Sequence, residues 1–435
     1  MDFTKSLSMN DRFHSLVPGG SHTYAKGDDQ YPEFMLPYIV RGEGCHIWDV
    51  DGNEFIEYGM GLRTVTLGHV YKPVVEAACR QIYMGNNFVR PAAIELECAE
   101  QFLRMIKGAE MVKFGKNGSE ATSGAVKLSR AYTGRDMVAI CGNHPFFSVD
   151  DWFIGSTPMS AGIPRVISDL TVKFNYNDLE SVKKLFEQYP SKIACVILEP
   201  EKEQAPQNNF LHELQRLCHD NGTVFILDEM ITGFRWHNGG AQRVHNIIPD
   251  LCSFGKALAN GFSVTALAGK REIMELGGLK HKKERLFLMS GTHGAENHGL
   301  AAALETMKIY EREPVIETLW RQGERLASQL QKSIDENNLT DYIPILGRPC
   351  CLVYGSRDIE KKPSQPFRTL LIQETMKRGI LAPSLIVSYS HTDKDIDRTA
   401  EAFHEAFVIY RKALEEGIEK YLVGCPVQPV WRVYN

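Results

Sequence analysis

Short apolar runs alternate with amphipathic stretches through the middle of the chain. "MVKFG" (111–115) leads into the helical pattern "SEATSGAVKLSRAYTG" (119–134), followed by "MVAICG" (137–142). Later, "IACVILEP" (193–200) precedes a helical "LHELQRLCHDNG" (211–222) and then "TVFILDE" (223–229). Strands that are apolar at every position, separated by amphipathic helices, predict a parallel sheet covered on both faces. "TALAG" (265–269) fits one more strand of that sheet. Residues 65–310 are therefore expected to form a large α/β domain with a mostly parallel sheet.

The ends carry different patterns. "GCHIWDVDGNEFIEYG" (44–59) alternates apolar and polar positions around Asp51-Gly52-Asn53, which predicts a hairpin turn. From about 311, long amphipathic patterns such as "IETLWRQGERLASQLQKSIDENN" dominate. Residues 311–435, joined by the segment 1–64, are expected to form a smaller α+β lobe.

Composition narrows the function class. The chain has 435 residues, 43% apolar and 24% charged, as ordinary globular proteins do. A net charge of −5 without a strong basic patch gives no reason to expect nucleic-acid binding, and "KHKKER" (280–285) reads as a solvated loop. No apolar run approaches the roughly 20 residues of a membrane helix, and the start lacks the pattern of a signal peptide. The ten cysteines are scattered and form no CxxC pair. That predicts reduced thiols in a cytoplasmic protein, with neither a disulfide framework nor a metal site. HExxH, GxSxG and GxxxxGK[ST] are all missing from the sequence.

Three weak signals then combine. In "LCSFGKALANGF" (251–262), Lys256 sits among small and apolar residues with no acidic neighbour in sequence. Such a setting lowers the pKa of an amine, unless the side chain simply reaches solvent at a strand end. Asp228 closes the apolar run "TVFILDEM", where ligands of open α/β sheets collect. Between "MVKFG" and the helix that follows, Asn117 or Ser119 can cap. The helix face would carry Ala121, Ala125, Leu128 and Tyr132. The amides of Gly118, Ser119 and Glu120 would then point out of a helix N-terminus, a favourable place for a phosphate dianion. A phosphate cradle, a buried acid and a shielded lysine are together what pyridoxal 5'-phosphate requires. The lysine forms an imine with the aldehyde, and the acid keeps the pyridine nitrogen protonated.

On these motifs the chain resembles the class III aminotransferases, most closely the glutamate semialdehyde aminomutase branch. The resemblance runs through "VPGGSHTYAKG", "WDVDGNEFIEYGMGLRTVTLGH", "NGSEATSGAVKLSRAYTGRD", "ILDEMITGFR", "FGKALANGF" and "SGTHGAENHGLAAA" in that order. It implies the type I fold of pyridoxal phosphate enzymes. It also implies Lys256 as the Schiff-base lysine, Asp228 as the pyridinium partner and Met230 against a ring face. Asn117, Gly118 and Ser119 would hold the phosphate, Glu199 would join the cofactor-binding residues, and Thr292 would reach the partner's cofactor in a homodimer. Where many relatives place a tyrosine that stacks on the cofactor, this chain has Asn143. His144, Phe146 or Phe147 would replace it by a small shift of the loop, with His144 the first candidate.

Two departures bear on the substrate. Lys26 stands where the mutase uses an arginine fork for its substrate's carboxylate, and the mutase's glutamate-containing loop after "LAPS" is missing. Arg63 offers an alternative anion clamp. The expected activity is transfer of an amino group from a donor, by family habit glutamate, to a polar aldehyde or ketone such as a keto sugar. An intramolecular 2,1-aminomutase is the alternative, and a catalytically silent binding protein is a third reading.

Overall fold

The computed structural model describes residues 1–144 and 146–434. It divides into two compact units, one of residues 1–71 with 317–435 and one of residues 72–316.

The first unit opens on helix Thr4–Leu16 and then β1 (Ile39–Glu43), β2 (His46–Asp49) and β3 (Glu54–Glu57), the strands paired antiparallel in that order. Asp49 sets the β2–β3 turn. Its Oδ1 accepts the amides of Asp51 at 3.0 Å and Asn53 at 2.8 Å, and Gly52 supplies the positive φ of 90°.

The second unit is built on seven strands: β4 (Met111–Gly115), β5 (Met137–Cys141), β6 (Thr171–Phe174), β7 (Ile193–Leu198), β8 (Val224–Asp228), β9 (Leu251–Phe254) and β10 (Thr265–Gly269). Their spatial order is β4-β10-β9-β8-β7-β5-β6. Strands β6, β5, β7, β8 and β9 run parallel, whereas β10 is antiparallel to both its neighbours. "TALAG" thus joins the sheet as expected, but in the reverse direction. Two successive reversals leave β4 pointing the same way as β9, so its end lies on the same edge as those of the parallel strands.

Strands β5, β7, β8, β9 and β10 are buried at every residue, which is why their sequences carry no alternation. Val196, Leu198, Phe225 and Leu227 join a core cluster with Val182 and Leu214 from helices Leu179–Gln188 and Phe210–Asp220. Helix Gly118–Thr133 packs on β7 to β10 through Ala121, Ala125 and Leu128, all fully buried. Tyr132, in the last turn, departs from that expected face and is 41% exposed.

The first unit resumes with the short antiparallel pair β11 (Ile345–Leu346) and β12 (Val353–Tyr354), and with β13 (Ile380–Leu381), which adds parallel to β3. Helix Asp393–Glu416 starts from a capping box of Thr392 and Asp395. Among the described residues no helix is long and apolar enough to cross a membrane, and all ten cysteines are free.

Candidate active site

The expected site residues of the second unit gather where the parallel strands end. Asp228 is the last residue of β8 and lies directly across from Ser253 on β9. Its Oδ1 accepts the Ser253 hydroxyl at 2.8 Å and the Met230 amide at 3.0 Å. Burial raises the Asp228 pKa, and the nearby Lys256 charge and these two hydrogen bonds oppose that rise. The acid is held in a dry place beside the Lys256 amine.

Lys256 follows β9 after Gly255 and opens a short 3-10 turn to Ala259. Its φ is 45°, a left-handed value that costs a non-glycine residue about 1 kcal/mol or more. Strain of that kind persists only where the surroundings impose it. Ala257, Leu258 and Ala259 are fully buried and anchor the turn, while Lys256 itself is half-buried.

The helix tip is the third part. Asn117 is the N-cap, and its side-chain oxygen accepts the Glu120 amide at 3.1 Å. That hydrogen bond settles the choice between Asn117 and Ser119 as the cap, and it withdraws the Glu120 amide from the expected cradle. The amides of Gly118 and Ser119 are the first two of the helix. The Ser119 hydroxyl oxygen accepts the Val149 amide at 3.0 Å, which leaves its own proton to donate elsewhere. Thr265, at the start of the reversed β10, donates to the Asn117 carbonyl at 3.1 Å.

These parts meet at one side chain. A Cβ added at Gly118 would sit 3.3 Å from the Met230 sulfur, and one added at Gly255 would sit 2.6 Å from it. Met230 therefore lies between the helix tip and the lysine turn, two residues beyond Asp228. Both glycines are small because that thioether fills the space beside them.

His144 and Glu199 form a neighbouring group. His144 is 6% exposed, and its Nδ1 accepts the Glu199 amide at 3.0 Å. Burial, with the Lys202 charge adding to it, pulls the imidazole pKa down to about 3. The ring is neutral at ordinary pH, with its proton on Nε2. Its centroid lies 5.2 Å from that of Tyr176, whose amide donates to Asn143 Oδ1 at 3.1 Å. Asn143 is thus turned back toward the end of β6. Thr292 lies in an exposed segment whose carbonyl accepts the Asn87 side chain at 3.2 Å.

Lys26 and Arg63 belong to the first unit. Lys26 is exposed at the end of a 3-10 turn. Arg63 ends a run of four residues with positive φ, Met60 to Arg63, pinned by Glu57 Oε1 accepting the Gly61 amide at 3.0 Å.

Sequence reading missed Ser253, Thr265, Gly255 and Tyr176. The first had a signal: a lone polar residue inside "LCSF" must find a partner on the next strand. The others depend on strand order and on the reversal of β10, which no local pattern carries. Cavities of about 500 and 210 Å³ open on the other edge of the sheet, beside Lys270 and Asp250. Asp250 is already engaged there by the Phe225 amide at 2.8 Å, His219 at 3.0 Å and Lys270 at 2.6 Å, as a structural tie.

The sequence profile of the family described as aminotransferase class-III matches residues 26–407. A glutamate-1-semialdehyde 2,1-aminomutase of Desulfitobacterium hafniense (strain DSM 10664 / DCB-2) is 33% identical over 418 residues, covering 90% of this chain and 95% of that protein. Among solved structures, the pyridoxal phosphate form of the FumI protein of Sphingopyxis sp. MTA144 superimposes with a TM-score of 0.86. It is 25% identical and covers 95% of this chain and 98% of its own. An omega-transaminase from Sphaerobacter thermophilus gives a TM-score of 0.83 at 25% identity, covering 93% and 97% of the two chains.

Proposed function

The chain belongs to the class III aminotransferases, and from that premise we propose that it moves an amino group from glutamate to a polar aldehyde or ketone. Its fold is that of pyridoxal phosphate transaminases, and pyridoxal 5'-phosphate is its cofactor. The observation that carries the site assignment is the meeting of Asp228, Lys256 and the Gly118–Ser119 helix tip around Met230.

The residues present fit the cofactor. Bound there, the cofactor would supply an electron sink for bonds to the amine-bearing carbon. Lys256 would hold the cofactor through its aldehyde and would serve as the group that moves a proton at the amine-bearing carbon. Asp228 keeps the ring nitrogen protonated, with its own carboxylate oriented by Ser253 and Met230. Met230 would pack against one ring face, and the neutral His144, held by the Glu199 amide, would contact the ring. Asn117 holds the helix tip in shape while Gly118 and Ser119 donate to the phosphate.

Lys26 and Arg63 are the candidate groups for anionic parts of the substrate. Neither repeats the mutase's entry arginine, which favours an acceptor other than glutamate semialdehyde. A homodimer with Thr292 reaching the partner's site is part of the same proposal. Its support is the group of exposed apolar residues Tyr83, Met84, Phe88 and Val89, at the end of helix Lys72–Met84 and on the loop after it, which hydrogen-bonds the Thr292 segment. The ten free cysteines support a reducing, cytoplasmic setting.

The 33% identity to an aminomutase favours a second reading, intramolecular transfer between adjacent carbons. A half-reaction screen separates the two. The cofactor's visible band should bleach with a candidate amine and return with a candidate ketone. A transaminase consumes a stoichiometric second substrate. Turnover of one substrate alone, with no keto product released, would refute the transaminase reading.

A further inference from the structure

The geometry points to a zinc-type divalent metal site formed by Cys45, His46 and Asp395 within the first unit. The donor atoms, a thiol sulfur, an imidazole nitrogen and a carboxylate oxygen, all lie within 4.8 Å of one another. Cys45 and His46 stand at the start of β2, and Asp395 lies in the first turn of helix Asp393–Glu416.

His46 supplies the argument. Its Nδ1 is 2.8 Å from Glu54 Oε1, and its Nε2 is 3.1 Å from Asp395 Oδ1. With the ring proton donated to Glu54, Nε2 presents its lone pair toward Asp395, the direction a metal shared by the two would occupy. A carboxylate behind a histidine is also the arrangement that fixes the tautomer of a metal ligand. Asp395 is held ready, because its Oδ2 accepts the Thr392 amide at 2.9 Å and the Thr392 hydroxyl at 2.7 Å.

Spacing and chemistry agree with zinc. Tetrahedral bonds of about 2.0–2.3 Å put neighbouring ligand atoms roughly 3.3–3.5 Å apart. The Nε2 to Oδ1 separation is 3.1 Å, and Cys45 Sγ lies 3.5 Å from the other carboxylate oxygen, Oδ2. One ligand atom from each residue falls within 4.8 Å of the rest, so a metal would draw the three together slightly. A thiolate beside an imidazole selects zinc over magnesium or calcium. The fourth position falls to water, since the His46 side chain is 26% exposed. Binding releases the Cys45 thiol proton, and any proton on His46 Nε2, to the buffer, so affinity rises with pH. The metal would pin β2 to the start of helix Asp393–Glu416 and take no part in amino transfer.

The test uses the full-length holoenzyme, stripped with a chelator and titrated with Co²⁺. The expected result is one equivalent per chain, with the visible d–d bands of tetrahedral cobalt, displaced by Zn²⁺. Cys45→Ser and His46→Gln should each weaken binding at least tenfold. Equal binding by correctly folded variants would overturn the proposal. Crystals soaked in zinc give a reading that needs no variant. An anomalous peak at Cys45 supports the site, whereas a peak elsewhere, or none, overturns it. Absence of tetrahedral cobalt bands in the wild type also overturns it and leaves Cys45, His46 and Asp395 as a hydrogen-bonded tie between β2 and the helix.

Discussion

Replacing Gly255 by alanine tests the convergence on which the site rests. The added methyl would lie 2.6 Å from the Met230 sulfur and 3.0 Å from Thr265 Cγ2, both well inside van der Waals contact. The Gly255 φ of −176° is open to any residue, so the cost is steric and carries no backbone penalty. Overpacking of this kind costs about 1–3 kcal/mol. The relief would come from moving Met230, which drags the helix tip or the lysine turn with it. We expect Gly255→Ala to lose about that much stability in urea melts and to weaken cofactor retention. Met230→Ala alone removes a 6%-exposed side chain and is destabilising by about 2 kcal/mol or more. In the double variant the clash has nothing to strike. The two changes should therefore fall short of additivity by about 0.5–3 kcal/mol, as contacting pairs do. Strict additivity, or a Gly255→Ala protein as stable as wild type with full cofactor, would refute the packing argument.

Other outcomes follow from the same geometry. Asp228→Ala should fold but lose turnover, because no acid remains to hold the ring nitrogen protonated; normal activity would count against the electron-sink assignment. Asn117→Ala should cost about 0.5–2 kcal/mol and weaken phosphate binding, read as a higher dissociation constant for the cofactor. His144, with a folded pKa near 3 against about 6.5 unfolded, leaves stability whole above pH 6.5. Below that the unfolded chain alone takes the proton, and stability falls by about 1.4 kcal/mol per pH unit until the folded pKa is reached. His144→Gln should flatten this slope by about one proton between roughly pH 4 and 6. An unchanged slope would show that the imidazole titrates normally.

How much of this was legible in the sequence depended on range. The unbroken apolar runs of β5, β7 and β8 predicted a sheet buried on both faces, since strands covered twice have no polar side to show. Lys256 and Asp228 could be picked out because each is a charge at the end of such a run. What binds them was hidden. Ser253 meets Asp228 only because β9 lies beside β8, and Thr265 reaches Asn117 only because β10 runs backwards. The choice of Asn117 over Ser119 as cap needed one hydrogen bond that the sequence does not show. The cluster of Cys45, His46 and Asp395 joins residues about 350 positions apart, a pairing that local spacing does not reveal.

The most direct test is to reduce the holoenzyme with borohydride and map the modified peptide by mass. The account predicts a single cofactor adduct on Lys256, within "FGKALANGF", and none on the Lys256→Ala protein. An adduct on any other lysine, or undiminished labelling of that variant, would contradict it.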